Sequence, residues 1–156
     1  REIGYSLAFV GVMVAIVQGG LIKWTQKKFG PVRSVYVGLL FYMVGLGLFA
    51  FASQSWMVYA FTLIYCLGGI APPSLQGIIS GNIPPNEQGE LQGMMTALMS
   101  LSTILSPLIM TNLFYFFTKE GAPFHFPGAS FAAAAIIVFI GALICIKELN
   151  KKKQNP

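Results

Sequence analysis

Five long stretches of apolar residues, separated by short polar segments, organise the chain. They cover roughly residues 3–22, 34–52, 56–80, 91–117 and 127–146. No Asp, Glu, Lys or Arg lies within any of them, and an α-helix needs about 20 apolar residues to cross a bilayer. The runs are too long and too continuous for the alternating pattern of a membrane β-barrel. The pattern therefore predicts an all-α, polytopic membrane bundle of five transmembrane helices, in which residues 1–156 form one transmembrane unit.

Composition supports the same class of protein. Hydrophobic residues make up 55% of the 156 positions and charged residues only 10%, whereas soluble domains carry roughly 25% charge. The chain opens on Arg1, and no signal peptide precedes the first apolar run. We therefore expect it to be the later part of a longer chain. Cys66 and Cys145 both fall inside apolar runs, so neither suggests a disulfide framework or a metal cluster.

The basic residues cluster in two segments that five spans would place on the same side of the membrane. These residues are Lys23, Lys27, Lys28 and Arg33 after the first span, and Lys147, Lys151, Lys152 and Lys153 in the tail. Short loops rich in Lys and Arg stay cytoplasmic. The pattern predicts a multi-pass protein of the cell (inner) membrane with a cytoplasmic C-terminus. The net charge of +5 then indicates topology and contact with anionic membrane lipid, and we expect no nucleic-acid partner.

A proline pair, Pro72 and Pro73, lies well inside the third apolar run. Proline removes a backbone donor and clashes with the preceding turn, and membrane helices tolerate it where the freed groups face protein or a water-filled cavity. We expect a kink at residues 68–73, with the proline pair as a gating element. Gln76, about one turn further on, is a candidate substrate-binding residue, although a kink can also be purely structural.

The fourth apolar run carries the clearest polar pattern in the chain. Six positions fall within about 100° of one another on a helix; they are Gln92, Thr96, Ser100, Thr103, Pro107 and Thr111. Such a stripe forms either the wall of a water-accessible cavity or the hydrogen-bonding contact with another helix. The first interpretation makes Ser100 and Thr103 substrate-binding candidates, and Gln92 and Pro107 gating candidates.

The first two spans each offer one polar candidate. In the first span, small residues share one face with Gln18. Gln18 is the one strongly polar side chain in the part of this span that would lie within the membrane. Gln18 could bind a substrate or a neighbouring helix. Tyr42, near the middle of the second span, needs a hydrogen-bond partner for its hydroxyl. It could serve either helix packing or a cavity.

The polar turn at residues 82–90 places two acids, Glu87 and Glu90, just before the fourth span. Acids at this position stabilise the positive end of the helix dipole. A second interpretation is that both acids pair with the first basic segment and help to lock one conformation. Both roles stay open from the residues alone.

Several kinds of chemistry have no signature in the sequence. It contains no zinc-spaced His/Cys cluster, no nucleophile elbow and no phosphate-binding glycine loop, so we expect the protein not to be an enzyme. A proton relay normally needs an ionisable group within the membrane, and the five spans contain no acidic or basic side chain. We therefore expect any coupling carboxylate to precede Arg1.

Several motifs together resemble the tetracycline/proton antiporter group of the major facilitator superfamily. They are residues 4–8 with Gln18, the sequence Gly-Gly-Ile at 68–70, and the two Leu-Gln-Gly triplets at 75–77 and 91–93. The resemblance covers the whole chain as helices eight to twelve of twelve. It implies an all-α major facilitator fold in which two six-helix bundles rock about a central site.

The resemblance also implies an activity: export of an amphipathic small molecule, driven by the proton gradient, without a bound cofactor. The expected partners are the small-molecule substrate, membrane lipid and the N-terminal half of the same transporter. Gln18 aligns with a glutamine that this group uses for substrate or coupling contacts. Lys28, Gly30 and Arg33 remain from the superfamily's loop motif, which implies a gating role.

The chain departs from the group at two positions. Val14 stands where these exporters carry a histidine, and Tyr42 where they carry an aspartate. Two alternatives to drug export therefore stay open. One is uptake or exchange of another solute, such as a sugar, metabolite or peptide, and the other is a membrane scaffold that transports nothing.

Overall fold

The computed structural model describes the backbone of residues 2–119 and 126–154 and the side chains of residues 8–119 and 126–151. These residues are almost entirely helical, and no strand occurs among them. The α-helices are α1 (Glu2–Ile16), α2 (Ile22–Phe29), α3 (Pro31–Ala50), α4 (Ser55–Leu67), α5 (Ala71–Ser80), α6 (Gln88–Thr118) and α7 (Ala129–Gln154). A π-helical turn, Val17–Leu21, joins α1 to α2, and a 3-10 turn, Gly68–Ile70, joins α4 to α5.

Within the part of the chain that the structure describes, five segments are long and apolar enough to cross a membrane, as the predicted class and number of spans require. They are Ala8–Phe29, Pro31–Ala50, Ser55–Ser80, Pro85–Thr118 and Ala129–Lys151. The first segment extends seven residues beyond the apolar run that ends at residue 22. The basic stretch that was expected to be a loop is instead the amphipathic helix α2, and Gly30 alone separates it from α3.

Helix α3 is the centre of the packing, with α4, α5 and α7 against it. Two of its glycines permit close approach of the neighbouring backbones. A Cβ on Gly38 would lie 2.6 Å from the backbone nitrogen of Ala71, and one on Gly45 would lie 2.8 Å from Cα of Tyr65. Small residues at helix contacts are a common means of association within lipid, where van der Waals packing contributes much of the attraction. The seam formed by Gly38 and Gly45 therefore fixes the third span against the second.

Helix α7 packs along the opposite side of the centre and connects it to α6. Phe131 of α7 stacks on Phe49 of α3 with ring centroids 5.6 Å apart. The Ser130 hydroxyl donates to the Met110 carbonyl of α6 at 2.9 Å. Helix α6 packs mainly against α7, and none of its 31 residues is buried. The fourth span is thus attached to the edge of the bundle and lies open along most of its length.

The two irregular turns lie side by side in the first and third spans. Val17 in the π-helical turn is 1% exposed, and it contacts the segment that contains Gly69. The α-helix of the third span changes to a 3-10 turn at Gly68–Ile70, within the segment where the proline pair predicts a kink. Pro72 and Pro73 then lie in the first turn of α5, where backbone N–H groups have no partner within the helix and proline is accepted.

Candidate functional site

The polar stripe of α6 lies on the open part of the bundle. All six of its members are exposed. Thr96 donates to the Gln92 carbonyl and Thr103 donates to the Met99 carbonyl, each at 2.8 Å. Because these two hydroxyl protons are satisfied within α6, Thr96 and Thr103 do not depend on a second helix for their hydrogen bonds. The oxygen lone pairs remain available to water or to a ligand.

The glutamines of the two Leu-Gln-Gly triplets face each other across the polar turn that connects α5 to α6. Gln76 of α5 donates through Nε2 to Oε1 of Gln92 on α6 at 3.5 Å, a long hydrogen bond. One substrate-binding candidate and one gating candidate are therefore neighbours. We call this contact the glutamine pair.

The turn below the glutamine pair is closed by Gln88. Its side-chain amide donates to the carbonyls of Ser80 and Ile83 at 2.8 and 2.9 Å, and the Ser80 hydroxyl donates back to Gln88 Oε1 at 2.7 Å. These three bonds fix the end of α5 to the start of α6. Gln88 therefore helps to fix the mutual position of Gln76 and Gln92, although it was not among the predicted site residues.

Gln18 lies in the π-helical turn of the first span and its side chain is exposed. A π-turn inserts one residue into the helical register, and such turns occur frequently at functional sites. Gly11 and Gly19 share the predicted face of Gln18. A Cβ added to either glycine would meet no neighbouring atom within 4 Å. This face of the first span is therefore uncovered within the described chain.

Tyr42 is placed between the second and third spans. Its ring contacts Gly68, where a Cβ would lie 2.5 Å from Tyr42 Cδ1. It also lies 4.9 Å from the ring of Tyr65, centroid to centroid. The surroundings of the ring within this chain are those of a packing residue, which is one of the two interpretations of the sequence.

The gating candidates of the first basic segment lie at the junction of α2 and α3. Gly30 has φ = +79°, a conformation that favours glycine, and its carbonyl accepts hydrogen bonds from the Ser34 amide and hydroxyl. The Lys28 ammonium lies 4.9 Å from the centroid of the Trp24 ring, a cation–π contact. Arg33 is exposed on the first turn of α3.

Glu90 occupies the first turn of α6, a position where a carboxylate stabilises the positive end of the helix. It is exposed, and within residues 8–119 and 126–151 it forms no ion pair with the first basic segment. Pro107 lies inside α6, where it removes one backbone hydrogen bond of the helix.

Two further polar contacts were not predicted from the sequence patterns. Gln26 of α2 donates through Nε2 to the fully buried Ser74 hydroxyl of α5 at 3.1 Å, which ties the first span to the third. Asn112 of α6 donates to the Leu108 carbonyl at 2.7 Å on the side of the helix away from the stripe. Neither residue belongs to a periodic polar face, so no pattern could have found it.

Comparison with known proteins decides the family. The family model of the Major Facilitator Superfamily matches residues 1–156. The chain belongs to the major facilitator superfamily. This membership confirms the predicted family and identifies the chain as part of a membrane transporter family rather than an enzyme.

Within the superfamily, the chain is similar to bacterial tetracycline resistance proteins, as its motifs predict. It is 40% identical over 118 residues to the class E protein of Escherichia coli, a match that covers 76% of this chain and 29% of that protein. It is 36% identical over 112 residues to the class C protein of Escherichia coli, covering 72% of this chain and 28% of that protein. The chain thus spans less than a third of the length of these relatives.

A second set of relatives matches more of the chain at lower identity. The Hippocampus abundant transcript-like protein 1 of Homo sapiens is 26% identical over 159 residues, covering 93% of this major facilitator chain and 31% of that protein. No solved structure matches the chain.

Proposed function

We propose that the transporter containing this chain exports a tetracycline-like amphipathic molecule in exchange for protons, by alternating access. The single observation that carries the proposal is the open polar stripe of α6. Six exposed polar or helix-breaking positions follow one side of a span whose other sides are mostly apolar. Such a stripe facing lipid would be costly, so we infer that it faces a cavity shared with the remainder of the protein.

Gln18, Ser100 and Thr103 are the proposed substrate contacts in this chain. The first span leaves the side that carries Gln18 uncovered, and the fourth leaves Ser100 and Thr103 uncovered. In the proposal, the N-terminal half of the transporter covers both surfaces and encloses the substrate between them. Amide and hydroxyl groups suit the many oxygen and nitrogen atoms of a tetracycline-like molecule, since each can donate and accept.

The glutamine pair and Gln88 serve as the proposed inner gate. Their contacts connect α5 to α6, so movement of α6 against the third span changes the Gln76–Gln92 distance. A neutral bond at 3.5 Å is weak enough to break and re-form during each cycle. Pro72, Pro73 and Pro107 interrupt the same two spans and would provide the points about which they bend. Lys28, Gly30, Arg33 and Glu90 are the proposed gating residues of the inner surface, with the C-terminal tail in the cytoplasm of a cell-membrane protein.

Proton coupling normally requires ionisable groups within the membrane, and the five apolar runs of this chain contain no Asp, Glu, Lys or Arg. Val14 and Tyr42 stand where the exporters that the chain resembles carry ionisable residues. We therefore propose that the coupling carboxylates lie in the N-terminal half. No cofactor is required, since the proton gradient supplies the free energy.

The test is accumulation of labelled tetracycline in cells that produce the complete transporter, with and without an uncoupler. We expect at least about threefold lower accumulation than in cells with an empty vector, and we expect the uncoupler to abolish the difference because it collapses the driving gradient. Equal accumulation in both kinds of cell would reject tetracycline as substrate. A difference that survives the uncoupler would reject proton coupling.

A second candidate, transport of another solute, is favoured by the residues at positions 14 and 42. In the same cells, a complete transporter that leaves tetracycline accumulation unchanged but alters uptake of another labelled solute would support this candidate.

A further inference from the structure

Two adjoining grooves lie at the end of the bundle that carries the clustered basic residues. One, of 510 Å³, lies among the α2–α3 junction, the end of α5 and the end of α7, and Arg33 lines it. The other, of 620 Å³, lies between the end of α5 and α7, and Lys151 and Glu148 line it. Because Ile78, Asn82 and Leu149 line both, the two grooves form one surface depression with a basic residue on each side.

The depression continues into the membrane-spanning part as an apolar groove. This groove, of 140 Å³, lies between α3 and α7, and its lining is apolar apart from Tyr36. Tyr36 also lines the depression, so the apolar groove begins where the depression ends. Leu40 and Leu143 of its lining are 54% and 52% exposed. No described helix covers them.

A polar contact marks the boundary between the two parts. The Tyr36 hydroxyl donates to Asn150 Oδ1 at 3.4 Å and joins α3 to α7 at this level. On the basic side of the boundary, the Lys28 ammonium lies 5.8 Å from the ring centroid of Phe29, which lines the depression. The cations in or beside the depression are therefore Lys28, Arg33 and Lys151, and the carboxylate is that of Glu148. The groove beyond the depression is apolar.

We propose that this composite site binds one anionic phospholipid of the surrounding bilayer. Its phosphate lies in the depression between Arg33 and Lys151, and one acyl chain lies in the groove between α3 and α7. A juxtamembrane Lys or Arg attracts an anionic headgroup by about fivefold in affinity, and the continuous apolar groove favours a lipid over a soluble anion. The lipid thereby holds α7 against α3 at the basic end. The inference depends on the membrane-spanning fold and not on the transported solute.

Native mass spectrometry of the complete protein in detergent tests the site directly. The detergent-solubilised protein is mixed with phosphatidylglycerol or with phosphatidylcholine of the same acyl chains, and retained lipid is counted. We expect phosphatidylglycerol to be retained at least about fivefold more tightly. The double variant Arg33→Gln/Lys151→Gln should lose about 25-fold, because two attracting charges are removed. The matched control is Lys119→Gln, because Lys119 follows the C-terminal end of α6 and does not line the depression. This variant should retain lipid as the parent protein does.

The variant Leu143→Trp separates a lipid from other occupants, because it fills the apolar groove and leaves every charge in place. We expect it to weaken phosphatidylglycerol retention severalfold. Equal retention of the two lipids, or a double variant that behaves like Lys119→Gln, would overturn the proposal. So would competition by glycerophosphoglycerol at the same concentration as the lipid, which would indicate a soluble anion, or a lipid-free dimer whose interface covers the groove.

Discussion

Replacing Gly38 with leucine is expected to prevent the second and third spans from packing together. A Cβ at this position would already lie 2.6 Å from the Ala71 nitrogen and 2.7 Å from its Cβ. The obstruction is backbone and cannot rotate away, so the helices must separate. Overpacking of this kind costs about 3 kcal/mol or more, which lowers the ratio of folded to unfolded protein by more than about 100-fold. The measurement is the yield and thermal midpoint of the monodisperse protein in detergent.

Gly47 provides a matched control on the same helix. A Cβ there would meet nothing within 4 Å, so Gly47→Leu adds the same side chain without a clash and should leave yield and midpoint near those of the parent. Gly38→Ala should fall between the two. Equal stability of Gly38→Leu and Gly47→Leu would contradict the packing of α3 against the third span.

Replacing Ser100 with tryptophan is expected to stop transport while leaving the protein folded. Ser100 lies in the middle of the stripe of α6 and is exposed. If the stripe lines the substrate route, a large indole there narrows the route and displaces the substrate from Thr103. We expect export to fall by at least about tenfold, equivalent to about 1.4 kcal/mol or more. The measurement is initial-rate transport in cells at matched expression.

Leu98→Trp is the corresponding control because Leu98 lies about 160° around the helix from Ser100 and is 60% exposed. Away from the stripe, the same side chain should change export less than about twofold. If Ser100→Trp transports as well as Leu98→Trp, the stripe does not line the route.

The number and class of the spans could be predicted because they follow from apolar length alone. The interruption of the α-helix in the third span could also be predicted, because Pro72 and Pro73 remove backbone hydrogen-bond donors. The exact ends of the helices could not be predicted. Helix α2 continues through Lys23 and Lys27, because their long side chains can place the charges in the membrane–water interface while the backbone stays helical. The helical register of α6 fixes which residues share the polar stripe, but the role of the stripe as a cavity wall stays a prediction, because residues on and off the stripe are exposed alike.

The remaining features depend on contacts between spans, which no single periodicity encodes. Gln26 reaches Ser74 across 48 residues, and Gln88 joins the end of α5 to the start of α6 beside the glutamine pair. The π-helical turn at Val17 packs beside Gly69 of another span, so its position is set by tertiary packing rather than by its own sequence. Tyr42 shows the same dependence, because its contacts with Gly68 and Tyr65 come from the third span.

The most direct test of the account is the water accessibility of α6 in the complete protein within liposomes. With every native cysteine of the complete protein, including Cys66 and Cys145, replaced by alanine, single cysteines are introduced as Ser100→Cys, Thr103→Cys and Leu98→Cys. The rate of reaction with a small charged thiol reagent is then measured. The account predicts fast reaction at positions 100 and 103, slowed by added substrate, and slow reaction at position 98. Protection of positions 100 and 103 by lipid, with reaction no faster than at 98, would contradict it.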